Sequence, residues 1–189
     1  MNCVMSNSSG YIILIDTDVV FHFLVANRIE SINKIFPFEI MILPPVHNEL
    51  EKFRLFQDNS ERIIHGRILN PLDFPADNPK IEEEYLRVKK DLNKGAGESA
   101  CLAYAKLSSN IIASSNLRDT HEYCKRHSVK FLTTMDFLFM AKLNGVFTEE
   151  ECNEFIKKNK EYYIPQKLPA NKISDYIPPS DSFINQCIK

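Results

Sequence analysis

At 189 residues, with 44% hydrophobic and 25% charged side chains, the chain has the makeup of one folded domain carrying a modest extension, which excludes intrinsic disorder. A net charge of −2 excludes a chain-wide basic surface, so any phosphate contact must come from a local patch or a bound metal. The five cysteines have no C-x-x-C spacing, the five histidines do not pair with them at finger-like spacing, and the apolar runs are only about strand length. These features point to reduced thiols in a cytoplasmic protein, against a zinc or disulfide framework and against a membrane span. Met1 to Gly10 is polar and carries no pattern of a secretory leader.

Tyr11 to Ile15 is a short apolar, β-branched run, suited to a central parallel strand buried on both faces. Asp16-Thr17-Asp18 ends it, and Val19 to Ala26 reads as a helix with Thr17 or Asp18 as N-cap. A second helix is expected from Ile29 to Phe36 and a strand from Glu39 to Leu43. Pro44-Pro45 then opens a helix running to Phe56, because proline in a first turn removes no hydrogen bond. Between Asp58 and Pro79 the pattern is weakest. Ile63-Ile64 and Ile68-Leu69 fit a strand or a helix, and the prolines mark loops.

Ile81 to Leu92 is a charged helix. The Gly95-Ala96-Gly97 break starts another, from Glu98 to Leu107. Asn110 to Ala113 is a third strand, Leu117 to His127 a helix, and Val129 to Leu132 a fourth strand. Thr133-Thr134 caps a helix from Met135 to Leu143, and Thr148 with Glu151 forms a capping box for a last helix to about Tyr162. Strands alternating with helices imply right-handed crossovers and a parallel sheet between helix layers. The expected fold is therefore α/β, a Rossmann-like three-layer sandwich with four to five mostly parallel strands. The main domain spans 1–147, and 148–189 is a C-terminal helix with a proline-containing tail.

Ligands of parallel sheets bind beyond the carboxyl ends of the strands, and there the acidic residues fall. Asp16 and Asp18 follow the first strand, Asn116 and Asp119 the third, and Asp136 the fourth. Glu49 lies one turn into the helix after the second strand, and Glu98 follows the glycine-rich break. Gathered carboxylates repel one another unless a cation compensates, and hard oxygen ligands favour Mg²⁺ or Mn²⁺. Each residue alone is also an ordinary helix cap or solvated face, so spacing leaves the cap and the ligand readings both open.

Four segments carry a family resemblance. Ile12 to Val20 resembles the opening strand and first aspartate of the PIN-domain nucleases. Leu43-Pro44-Pro45-Val46-His47-Asn48-Glu49-Leu50 resembles the element bearing their second acid, and Gly97-Glu98 through Ala105 the helix bearing their third. Ile111 to Asn116 through Leu132 to Leu138 resembles the closing strand, helix, strand and helix. The resemblance spans about residues 11–146 and departs from the family at Asn116, where a fourth aspartate is usual. It implies Mg²⁺- or Mn²⁺-dependent phosphodiester cleavage, in RNA more than in DNA.

On that reading Asp16, Glu49, Glu98, Asn116 and Asp119 are catalytic candidates, with Asp16, Glu98 and Asn116 as metal ligands. Thr17, Asp18, Ser115 and Asp136 are accessory, and Arg118 and Lys94 contact substrate. The resemblance also extends to toxin components, implying an antitoxin partner, and to domains that form homodimers. The competing expectation is a catalytically weakened PIN-like module that binds nucleic acid or protein, which Asn116 favours. His22 and His47 are expected on helix surfaces, and the phenylalanines in the core.

Overall fold

The computed structural model describes residues 10–75, 78–92, 94–162 and 168–188, with the backbone alone for 117–119. Its centre is β1 (Ile12–Ile15), whose Ile13, Leu14 and Ile15 are fully buried. β1 pairs in parallel with β2 (Glu39–Ile42) on one side and β4 (Ile111–Ala113) on the other. The two-residue β3 (Asn70–Pro71) lies outside β2, and β5 (Lys130–Leu132) lies outside β4. The order β3-β2-β1-β4-β5 is all parallel, an α/β sandwich of five strands. The chain moves outward from β1 in one direction, then returns to β1's other side. That reversal leaves a crevice beyond the carboxyl ends of β1 and β4, where such sheets bind ligands.

Helices cover the sheet in two groups. α1 (Thr17–Val25), α8 (Thr134–Leu143) and α9 (Glu149–Glu161) meet through Phe23, whose ring lies 5.9 Å from Phe137 and 4.9 Å from Phe155. α2 (Pro44–Leu50) and α5 (Pro79–Asp91) pack on α6 (Ala96–Ser108). α7 (Leu117–His127) joins β4 to β5. The expected helix from Pro44 to Phe56 is interrupted: α2 stops at Leu50, and a short α3 (Arg54–Gln57) follows. Pairing of Phe53 with Phe21, at 4.9 Å, accompanies the break and leaves Phe53 the exposed member of the phenylalanine set. The weak region holds a single turn of helix, α4 (Ser60–Ile64), and β3, while Ile29–Lys34 is a 3-10 helix rather than an α-helix.

The C-terminal segment joins the body. Ile184 in α10 (Ile184–Cys187) is fully buried, and the Phe183 N–H donates to the Phe131 carbonyl at 3.2 Å, against β5. Phe155, Phe183 and Ile184 belong to the same core as β1, so α9 and the arm pack as part of one body. Cys101, Cys124, Cys152 and Cys187 are buried. Among the described residues no helix is long and apolar enough to cross a membrane.

Candidate metal centre

Asp16 is placed by the sheet itself. Its N–H donates to the Ala113 carbonyl at 2.9 Å, continuing the β1–β4 ladder, and its Oδ1 accepts from the Thr17 N–H at 2.8 Å as the N-cap of α1. The cap is thus Asp16 rather than Thr17 or Asp18, because the helix begins at Thr17, two residues before the expected Val19. The side chain is 5% exposed, and its carboxyl is held well above the ordinary range by burial first, then by the charges of Asp18 and Glu98. Asp18, in the first turn of α1, accepts from the Ser115 N–H at 2.9 Å through Oδ2. Among the described residues its Oδ1 is buried without a hydrogen-bond partner. Burial raises this carboxyl from 3.8 to about 7, with Glu98 adding repulsion.

Glu49 reaches the same region from α2. It accepts from Thr17 Oγ1 at 2.7 Å and from the Gly97 N–H at 2.9 Å. Gly97 permits this approach, since a Cβ there would lie 2.7 Å from Glu49 Oε2. Glu98, at the start of α6, is almost wholly buried and carries its own counter-ion. Lys94 Nζ donates to its Oε1 at 2.8 Å, the Thr120 hydroxyl donates to the same oxygen, and Asn116 Nδ2 donates to Oε2 at 3.2 Å. All four carboxylates bear on one point: burial raises the Cys101 thiol's pKa most, followed by Asp16, Glu98, Glu49 and Asp18.

Several expected residues occupy other roles. Lys94 is 8% exposed and paired with Glu98, so it faces the cluster rather than a substrate surface. Asn116 orients Glu98 through its amide. Asp136 stands apart from the cluster: both of its oxygens are engaged, by Thr133, Tyr176 and Ser182. Ser115 bridges, its N–H on Asp18 and its hydroxyl 2.7 Å from that of Thr134. Thr134 in turn meets Nδ1 of His22 at 2.8 Å, and His22 is fully buried rather than on a helix surface. The side chains of Asp119 and Arg118 lie outside the described residues. Lys52, Arg54, Lys89 and Lys90 are exposed.

Thr120 is the residue that sequence reasoning passed over. Its signal was its spacing, one helical turn after Asn116 on the same face of α7.

The donor set suits a hard divalent ion in its chemistry, though its arrangement is not a finished cage. Among the described residues no three Asp, Glu, His or Cys side chains form a ready coordination group. Glu98 and Glu49 are committed to protein donors, which leaves Asp16 and Asp18 as the pair that fits best. Both are buried carboxylates disfavoured in ionised form, and Asp18 has an orphaned oxygen, a deficit that a cation bound by oxygen ligands would relieve. No known family model matches the chain, and neither a curated protein nor a solved structure matches it.

Proposed function

We propose that the chain is a Mg²⁺- or Mn²⁺-dependent ribonuclease of the PIN type, acting in the cytoplasm. The observation that carries this reading is the gathering of Asp16, Asp18, Glu49 and Glu98 at the crevice beyond β1 and β4, tied together by the Thr17–Glu49, Ser115–Asp18 and Asn116–Glu98 hydrogen bonds. Carboxylates so gathered are a liability for a purely structural core, and Asp16 and Asp18 remain under-compensated there. When bound, the ion would supply an activated water and neutralise charge developing on the scissile phosphate. Asp16 and Asp18 bind it. Glu98 belongs to the same cluster, oriented by Asn116 and Thr120, and Glu49 is fixed by Thr17 and Gly97.

Lys94 lowers the negative charge of the centre further, beyond the loss of an aspartate at 116. With asparagine at 116 and an ammonium on Glu98, the centre holds less negative charge than four carboxylates and an aspartate would, which favours one bound ion over two. An antitoxin partner and a homodimer remain part of this reading by resemblance alone.

Purified protein incubated with single-stranded RNA and Mn²⁺ should cleave it, and EDTA should stop it. Asp16→Asn should lower the rate by at least ~100-fold, a loss typical of removing an essential charge from a metal site. Mn²⁺ should also raise the melting temperature of the native chain and not that of the variant. Equal rates and equal melting responses would sink the enzyme.

One observation favours a second reading, a non-catalytic module that binds nucleic acid or protein. Glu98 already has its cation in Lys94 and needs no metal for neutrality. RNA binding that is unaffected by divalent ions, with no cleavage, would select it.

A further inference from the structure

Beside the carboxylate cluster, at the same edge of the sheet, the C-terminal arm encloses a cavity of about 470 Å³. Ser115 and Thr133, just past β4 and β5, form part of its lining together with Met135 of α8, and the arm adds Tyr176 and Ile177. The volume falls within the range of small-molecule pockets. Its wall is held in place before any ligand arrives: the Tyr176 hydroxyl donates to Asp136 at 2.9 Å, Ser182 Oγ to Asp136 at 3.1 Å, and the Ile173 N–H to Asn153 at 2.8 Å. Ile177 is 85% exposed on this wall, a large apolar side chain left in water.

The charge of the lining restricts what can enter. Among the described lining residues there is no lysine or arginine, and there is one carboxylate, Asp175. The Asp175 carboxylate accepts hydrogen bonds, so the lining offers an acceptor to a neutral, flat group with N–H donors. Asp175 can only accept hydrogen bonds when ionised, and a carboxylate accepts two parallel bonds from adjacent donors. Asn171 also lines the cavity; its carbonyl accepts from Lys160, leaving its amide N–H₂ to donate to a carbonyl. Two adjacent N–H donors beside a carbonyl oxygen is the edge of guanine. Apolar and aromatic walls suit its faces, as in proteins that splay single-stranded RNA bases out of the stack.

Continuity with the cluster fixes which guanine. Ser115 lines the cavity while its own N–H donates to Asp18, so the two sites share a residue. We propose that this cavity binds the unstacked guanine base of a single-stranded RNA, one nucleotide from the phosphate held at the carboxylate cluster. The position along the strand rests on the nuclease reading above. Binding of the base itself does not.

The test therefore has two arms. In the first, guanosine and uridine are titrated into the metal-free full chain and followed by amide NMR. Guanosine should bind about tenfold more tightly, the discrimination expected of one bidentate contact, and should move the Ser115, Asn171 and Tyr176 signals. Asp175→Asn, at an exposed position whose one side-chain contact is the Ser174 hydroxyl at 3.3 Å, should abolish the preference, while Asp175→Glu should retain part of it. Equal affinity for the two nucleosides, or a preference unchanged in Asp175→Asn, overturns the subsite.

In the second arm, RNAs with one guanine moved along a uridine background are incubated with Mn²⁺. Cleavage should follow the guanine. Metal-dependent cleavage indifferent to its position overturns the subsite and leaves the nuclease standing. Guanosine binding lost in Asp175→Asn, with no cleavage of any RNA, keeps the base site and overturns the nuclease.

Discussion

Two buried carboxylate sites lie past β1 and β5, which flank β4 in this sheet, and they are built in opposite ways. Asp136, after β5, is fully buried and its oxygens accept from the Thr133 N–H at 2.8 Å, the Thr133 hydroxyl, Tyr176 and Ser182. Asp16 and Asp18, after β1, face each other and Glu98, and Asp18 keeps an oxygen with no donor. Burial raises the pKa at both places, but at Asp136 every further influence lowers it, whereas at Asp16 the next largest ones raise it. A carboxylate that stabilises a fold is surrounded by donors. One kept for a ligand is left short of them.

Glu98 stands between the two cases, satisfied by donors yet inside the cluster, and its lysine offers the largest handle on the difference. Lys94→Met should destabilise the metal-free protein by roughly 3–5 kcal/mol, the usual cost of stranding one partner of a buried ion pair. Saturating Mn²⁺ should restore much of that loss. Chemical denaturation with and without the ion measures both, and a variant as stable as the native chain in EDTA would remove Lys94 from the electrostatics of the site.

Loss of the carboxylate at the two aspartate sites should act with opposite sign. Asp136→Ala removes the capping box of α8 and the anchor of the arm, and should cost about 2–3 kcal/mol. Asp16→Asn removes a repelled charge and should leave the metal-free protein as stable as before or more stable by about 1 kcal/mol. Loss of stability in both would break the distinction between them.

The smallest effect is in pH. The Asp18 carboxyl rises from 3.8 unfolded to about 7 folded, so the folded state holds its proton more tightly. Its stabilising contribution is complete below pH ~4 and is lost as pH rises towards about 7. Asp16 and Asp136 push in the same direction. Glu84, lowered to about 2 by Arg87, Tyr123 and Lys106, acts in the opposite sense, but only below about 4.5. Melting temperature in EDTA should therefore fall between pH 5 and 7.5, and Mn²⁺ should flatten the slope. A melting temperature that rises across that interval in EDTA contradicts the assigned repulsion.

Much of the fold was legible because local patterns and tertiary demands agree. The Ile12–Ile15 run is apolar on both faces, and the chain buries it on both. The Thr148–Glu151 capping box formed where its spacing placed it. Disagreement arose where distant contacts outweighed local preference. β3 is two residues, one a proline, and exists because β2 offers it a partner edge. Asp136, like Asp16, lies between a strand and a helix, yet besides Thr133 beside it the arm, 40 or more residues further on, supplies donors through Tyr176 and Ser182. His22 lies on a helix that reads as half surface, and the packing of α8 and α9 buries it.

The four carboxylates follow the same division. Asp16, Glu49 and Glu98 stood out in the sequence because strand ends and helix starts mark where side chains converge, a rule that needs only local order. The sequence alone determined the alternation of strands and helices, and hence which edge would gather the acids. Only the tertiary structure decided how each acid is compensated, with Lys94 on Glu98, Thr17 on Glu49, an arm on Asp136 and nothing on one oxygen of Asp18. Charge compensation depends on distances of about 3 Å between residues far apart in the chain, and no local pattern carries that information.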